Sequence, residues 1–81
     1  MIKVIMYTKE NCSNCDRADM LFQFCPVQHI IIKKNINDKN MGEEYSKELK
    51  EKDIMSVPSF VINGNWVEGF NEGKIKEELG L

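Results

Sequence analysis

The sequence predicts an α/β domain in the order βαβαββα, a four-stranded mixed sheet flanked by three helices. Three observations carry this. Two β-branched apolar runs, Ile2-Lys3-Val4-Ile5-Met6-Tyr7 and His29-Ile30-Ile31-Ile32, enclose an amphipathic stretch of helical length, the pattern of a parallel β-α-β unit. Ser59-Phe60-Val61-Ile62 and Asn65-Trp66-Val67 flank Asn63-Gly64, the strongest short hairpin signal. A last helix, about Asn71 to Leu79, is anchored by Ile75 and Leu79.

The first run is apolar enough to be a buried strand. Thr8 to Asn11 is a loop. The first helix runs from about Cys12 to Phe24, with Cys15, Ala18, Phe22 and Cys25 on one face and Leu21 beside them. Pro26 ends it. The second strand continues to about Lys34. Asn37 is the expected N-cap of a second helix over about Asp38 to Glu51. That helix has a narrow apolar stripe, Met41, Tyr45 and Leu49, and two supporting pairs, Glu43–Lys47 and Glu48–Lys52.

At 81 residues and a net charge of −2, the chain makes one small domain, residues 1–81, with a thin margin of buried surface. It has no basic cluster of the kind that binds nucleic acid, and its apolar runs are far short of a membrane span. The N-terminus carries no signal-peptide pattern. Three cysteines make an odd count, against a secreted disulfide scaffold. These readings favour a soluble protein in a reducing cytoplasm.

In that setting Cys12-Ser13-Asn14-Cys15 reads as redox or metal chemistry. Residues three apart on a helix have neighbouring side chains, so the pair can close a disulfide with little backbone movement. A helix start directs unpaired N–H groups at the first cysteine, and these stabilise the thiolate that attacks disulfides. A free cysteine with a pKa of about 8.5 is only about 3% thiolate at neutral pH, so this placement matters. Lys9 adds a positive charge three residues before Cys12; Asp16 acts in the opposite sense. Cys12 is expected to be exposed and reactive, and Cys15 to be buried and resolving. The competing reading is a zinc site completed by Cys25 and His29. Cys25 lies ten residues past Cys15 with no intervening Gly or Pro, a rise of about 15 Å on one helix, so the four ligands do not converge and no metal is expected.

The other conspicuous residues have plainer readings. Cys25 is expected to be a buried, inert core thiol. His29 is read as a partly exposed strand residue and Trp66 as a packing residue of the hairpin. Met20 and Phe24 lie off the main helical face.

With Cys12-Ser13-Asn14-Cys15 opening the first helix, Ser56-Val57-Pro58 before the hairpin and Glu68-Gly69-Phe70 after it, the whole chain resembles the glutaredoxins, the minimal thioredoxin-like fold. The resemblance implies a glutathione-dependent thiol-disulfide oxidoreductase that reduces protein disulfides and glutathione mixed disulfides, with Cys12 and Cys15 catalytic and Pro58 cis. It implies binding of glutathione or substrate at Lys9, Asn14, Val57, Pro58, Gly69, Phe70 and Asn71. Glutathione is then the co-substrate and disulfide-containing proteins are the partners, ribonucleotide reductase among them, for a monomeric protein.

The chain departs from the family at Asn14, where Tyr or Phe is usual, at Glu68 in place of a first Gly, and at Asn71 or Glu72 in place of Asp. Gly69-Phe70 also resembles the Ser-Gly-Phe segment of glutaredoxin-like redoxins, whose donor is the flavoprotein thioredoxin reductase and which serve ribonucleotide reductase. Ser13 resembles the serine of glutaredoxins that share an iron–sulfur cluster between two subunits. These alternatives stay open at the level of sequence.

Overall fold

The computed structural model describes residues 1–81. Its elements are β1 (Ile2–Thr8), α1 (Ser13–Gln23), β2 (His29–Asn35), α2 (Gly42–Glu51), β3 (Ser59–Ile62), β4 (Asn65–Glu68) and α3 (Glu72–Glu78). The order is the expected one. The strands form one sheet in the spatial order β2-β1-β3-β4. β1 runs parallel to β2 and antiparallel to β3, and β4 closes the hairpin. Asn63 and Gly64 both have positive φ, 50° and 84°, the geometry a two-residue hairpin turn needs.

Strand side chains alternate between faces, and each face has its own cover. Val4 and Met6 of β1, Phe60 and Ile62 of β3 and Val67 of β4 point to the side covered by α1 and α3. There they meet Cys15, Ala18 and Phe22 of α1 with Ile75 and Leu79 at α3. Phe60 is fully buried, with its ring 5.8 Å from that of Phe22; burying such a side chain contributes roughly 1.5–3 kcal/mol. Tyr7 points to the other face and joins Leu49 of α2 and Ile54, with Ile5, Tyr45, Val57, Val61 and Trp66 packed around them.

Several expectations need correcting. Asn37 does not cap α2. The helix starts at Gly42, and its N-cap, Met41, makes no side-chain cap hydrogen bond. The Asp38 carboxylate accepts the N–H groups of Asn40 and Met41 instead. Asn37 Oδ1 accepts the Glu10 N–H at 2.8 Å, a tertiary contact that the local pattern does not encode. Met41 is 44% exposed, so α2 packs through Tyr45 and Leu49. Neither expected i,i+4 pair of α2 forms; Glu48 turns to Lys34, 2.8 Å away. Cys25 is only half-buried, because α1 ends before it and the chain turns away.

Gly42 is buried against the 36–37 backbone. A Cβ there would overlap the Ile36 carbonyl oxygen, and backbone cannot move aside as a flexible side chain can. Gly42→Ala is therefore expected to destabilise the fold by about 1–3 kcal/mol, measured as a lowered urea midpoint. An unchanged midpoint would contradict this packing.

Candidate active site

α1 begins at the cysteine pair. Cys12 is its N-cap, with extended backbone, and Cys12 Sγ accepts the Cys15 N–H at 3.1 Å. The sulfur thus takes the place of the usual capping oxygen and receives one of the helix's unpaired N–H groups. Asn11, just before it, has φ 52°, a left-handed conformation that Asn tolerates better than most residues. This turn brings the chain from β1 into the cap. Cys12 is half-exposed and Cys15 is 3% exposed. The two are disulfide-bonded, with Cα atoms 5.2 Å apart, inside the range a disulfide accepts.

The Val57–Pro58 bond is cis, and the Val57 carbonyl oxygen lies 3.9 Å from Cys12 Sγ. The Val57 N–H and C=O make no backbone hydrogen bond. Half-buried main-chain groups are normally paired, so these two are available to an incoming chain beside the sulfur. Ser59, fully buried, braces this turn. Its hydroxyl donates to Ser56 O at 2.6 Å and accepts the Gly69 N–H at 3.1 Å. Gly69 has φ 74°, which favours glycine there. The Ser59 hydroxyl thereby joins the turn around Pro58 to the Gly69 backbone.

The remaining residues implied by the resemblance are less closely drawn in. Lys9 and Asn14 are exposed, and neither makes a side-chain hydrogen bond or an ion pair within the protein. Asn71 caps α3, its Oδ1 accepting the Lys74 N–H at 3.1 Å. Glu68 reaches to the Met55 N–H at 3.3 Å, bracing the loop before Val57. His29 is half-buried, with Nδ1 2.6 Å from Val27 O.

A polar cluster behind Val57 was not legible in the sequence. The Tyr7 hydroxyl donates to Glu48 Oε1 at 2.6 Å, and Lys34 Nζ is 2.8 Å from the same oxygen. The Tyr7 ring stacks on Trp66 at 5.5 Å, and Lys34 Nζ lies 5.4 Å and 5.5 Å from the centroids of Tyr7 and Tyr45. Burial and the Glu48 carboxylate push the Tyr7 hydroxyl pKa strongly upward. Burial alone would raise Glu48 too. Hydrogen bonds from Lys34 and Tyr7, with the Lys34 charge, outweigh it and hold the carboxyl below its ordinary value. Its only sequence signal was the Tyr7–Lys34 register, which needs the β1–β2 pairing to be known.

A sheet with a Cys-x-x-Cys pair at the start of α1 and a cis-proline turn beside it defines the thioredoxin-like fold class. The chain matches the Glutaredoxin family over residues 4–67 and belongs to that family. No curated protein matches it. Among solved structures, it is similar to a glutaredoxin from Methanosarcina mazei Go1 at 26% identity and TM-score 0.75, over 98% of this chain and 79% of that one. A thioredoxin-like protein shares the fold at 19% identity and TM-score 0.77, over 95% of this chain and 94% of that one. So does a dithiolic glutaredoxin from Trypanosoma brucei brucei at 23% and 0.72, over 95% and 78%.

The depressed Glu48 pKa carries a signed pH dependence. Ionised Glu48 contributes stability that is present above its ordinary value of 4.5 and is lost as pH falls through its lower folded value. Glu48→Gln should therefore lower the urea midpoint most at neutral pH, and the gap from wild type should close in acid. A gap that is constant with pH would contradict the ionised cluster.

Proposed function

We propose that this protein is a glutathione-dependent thiol-disulfide oxidoreductase of the reducing cytoplasm. The observation that supports it best is the placing of Cys12 Sγ between a helix N–H and the main chain of Val57, whose N–H and C=O make no backbone hydrogen bond. The Cys12 thiolate attacks one sulfur of a substrate disulfide. A Cys12–substrate disulfide forms, and the other sulfur leaves as a thiolate that takes up a proton. Cys15 then loses its proton and attacks Cys12 Sγ. The second substrate sulfur departs as a thiol, leaving the Cys12–Cys15 disulfide. Two glutathione molecules restore the dithiol and leave as glutathione disulfide, so two electrons and two protons pass from glutathione to substrate.

Glutathione suits the rim. Lys9 is free to pair with its glycine carboxylate, and Val57 offers two main-chain hydrogen bonds to its cysteine, in the manner of strand addition. Gly69 and Phe70 permit close approach at the glutamyl end. Asn71 is tied up as the cap of α3, so it would act there through the N–H groups of that helix rather than through its amide. Protein disulfides, that of ribonucleotide reductase among them, are the proposed targets.

Cys12→Ser is expected to abolish all disulfide exchange. Cys15→Ser should still reduce glutathione mixed disulfides while losing protein-disulfide reduction, because a second glutathione can attack a glutathionylated Cys12 directly. The check is turnover with glutathione plus its reductase beside turnover with thioredoxin reductase. A Cys15→Ser protein dead in both reactions, with wild type recycled by thioredoxin reductase alone, would reject glutathione as donor.

A further inference from the structure

α1 carries two stripes. Cys15, Ala18 and Phe22 are buried in the core. Arg17, Met20, Leu21 and Phe24 follow the i, i+3, i+4, i+7 spacing of one continuous helix face, and they continue it from Ser13, one turn before Arg17. Leu21 is half-buried against the core, but its neighbours on this stripe are not covered: Met20 is 59% exposed and Phe24 74% exposed. With Phe70 and Lys76 it lines an open groove of about 670 Å³ between α1 and the segment that includes α3.

Two features tie the groove to the redox pair. Phe70 belongs to both, since the Gly69 N–H beside it is held by Ser59, the residue after Pro58. Arg17 stands at the cysteine end of the stripe and makes no ion pair, whereas Lys76 is 3.8 Å from Glu72. Glu72, the acidic residue of the groove, is thus matched by Lys76, and the exposed Arg17 guanidinium is left as the charge of this lining without a partner, a local signal for a carboxylate.

We propose that this groove receives the residues flanking the reducible cysteine of a protein substrate, with an acidic side chain paired to Arg17 and a bulky apolar one seated against Met20 and Phe24. The dimensions set the spacing. At 1.5 Å per residue, Arg17 and Phe24 lie about 6 Å and about 16 Å along the helix from Ser13. An extended chain covers about 3.3 Å per residue, so the carboxylate falls about two residues from the cysteine and the apolar side chain about five. Glutathione is too short to reach Phe24. The groove therefore selects among protein disulfides without affecting small ones. This rests on the oxidoreductase reading above and adds the class of protein substrate.

The test uses the reduced protein and synthetic peptides whose single cysteine is disulfide-bonded to thionitrobenzoate. Attack by Cys12 releases the coloured thiolate in one turnover, with no electron donor needed. One peptide series carries Glu two residues and Phe five residues from the cysteine, on either flank. Controls carry Ser at both places, or Lys in place of Glu. Wild type should react at least tenfold faster with the Glu/Phe peptide on one flank than with the Ser control. Phe24→Ser should reduce that preference to within twofold, and Arg17→Glu should transfer it to the Lys peptide. The thionitrobenzoate disulfide of glutathione should react equally with all three proteins. Equal rates for all flanks, or a preference that survives Phe24→Ser, would overturn the groove assignment. A wild type that reacts with no probe faster than free cysteine would instead overturn the oxidoreductase reading itself.

Discussion

The site depends on one meeting: the sulfur at the N-terminus of α1 against the main chain of the Val57–Pro58 turn. The two segments are 45 residues apart in sequence. They are joined because β1, which leads into Cys12, and β3, which follows Pro58, pair at the centre of the sheet, with Tyr7 opposite Ser59. This pairing sets where the loops at that end of the sheet emerge. The first loop turns at Asn11 and delivers Cys12 as a cap. The second delivers Val57 with its main-chain groups outside any backbone hydrogen bond. Functional groups on loops are placed well only when the elements beneath them are rigid, and here those elements are the two inner strands, with Val4, Met6, Phe60 and Ile62 fully buried between them and the helices.

The two faces of the sheet support the site by different physics. Below α1 and α3 the contacts are apolar, and Cys15 is held in that core as the inner thiol. Below α2 a tyrosine, a carboxylate and a lysine share one oxygen. Charge-assisted hydrogen bonds to a partly buried carboxylate are stronger than neutral ones, and removing any one partner leaves the others poorly satisfied. Val57 packs against this second cluster. The turn that faces Cys12 is thus held from behind by Tyr7 and Ile54, and from the side by the Ser59 hydroxyl and the Glu68 carboxylate. Glu68, which stands where the family has glycine, serves here as a brace for the Met55 backbone.

What the sequence disclosed was what local rules govern. The Asn63-Gly64 turn, the β-branched runs and the Cys12–Cys15 spacing each have short-range physical signatures, and all three elements stand where those signatures place them. The cis bond at Pro58 came through resemblance rather than spacing, and it is present. The failures are tertiary. Asn37 looked like a cap, but its amide faces Glu10 once β2 lies beside β1. Glu48 looked like half of a helical pair with Lys52, but the sheet brings Lys34 nearer. Gly42 gave no signal, because its need for a missing Cβ arises from an Ile36 carbonyl that only the folded chain brings close. Ser59 is a strand residue, as its sequence pattern predicts, but the bracing role of its hydroxyl has no local signature. Its bridge to Gly69 depends on the hairpin register that places it opposite Glu68.

The account rests on an asymmetry between two cysteines three residues apart. Cys12 is half-exposed, with a helix N–H on its sulfur, and Cys15 is sealed in the core. The most direct measurement is the alkylation of each thiol in the reduced protein by iodoacetamide at neutral pH, followed by mass spectrometry of the labelled peptides. Cys12 should be modified at least tenfold faster than Cys15 or Cys25, because exposure and thiolate character together govern the rate. Equal labelling of Cys12 and Cys15, or faster labelling of Cys25, would contradict the assignment of Cys12 as the attacking sulfur.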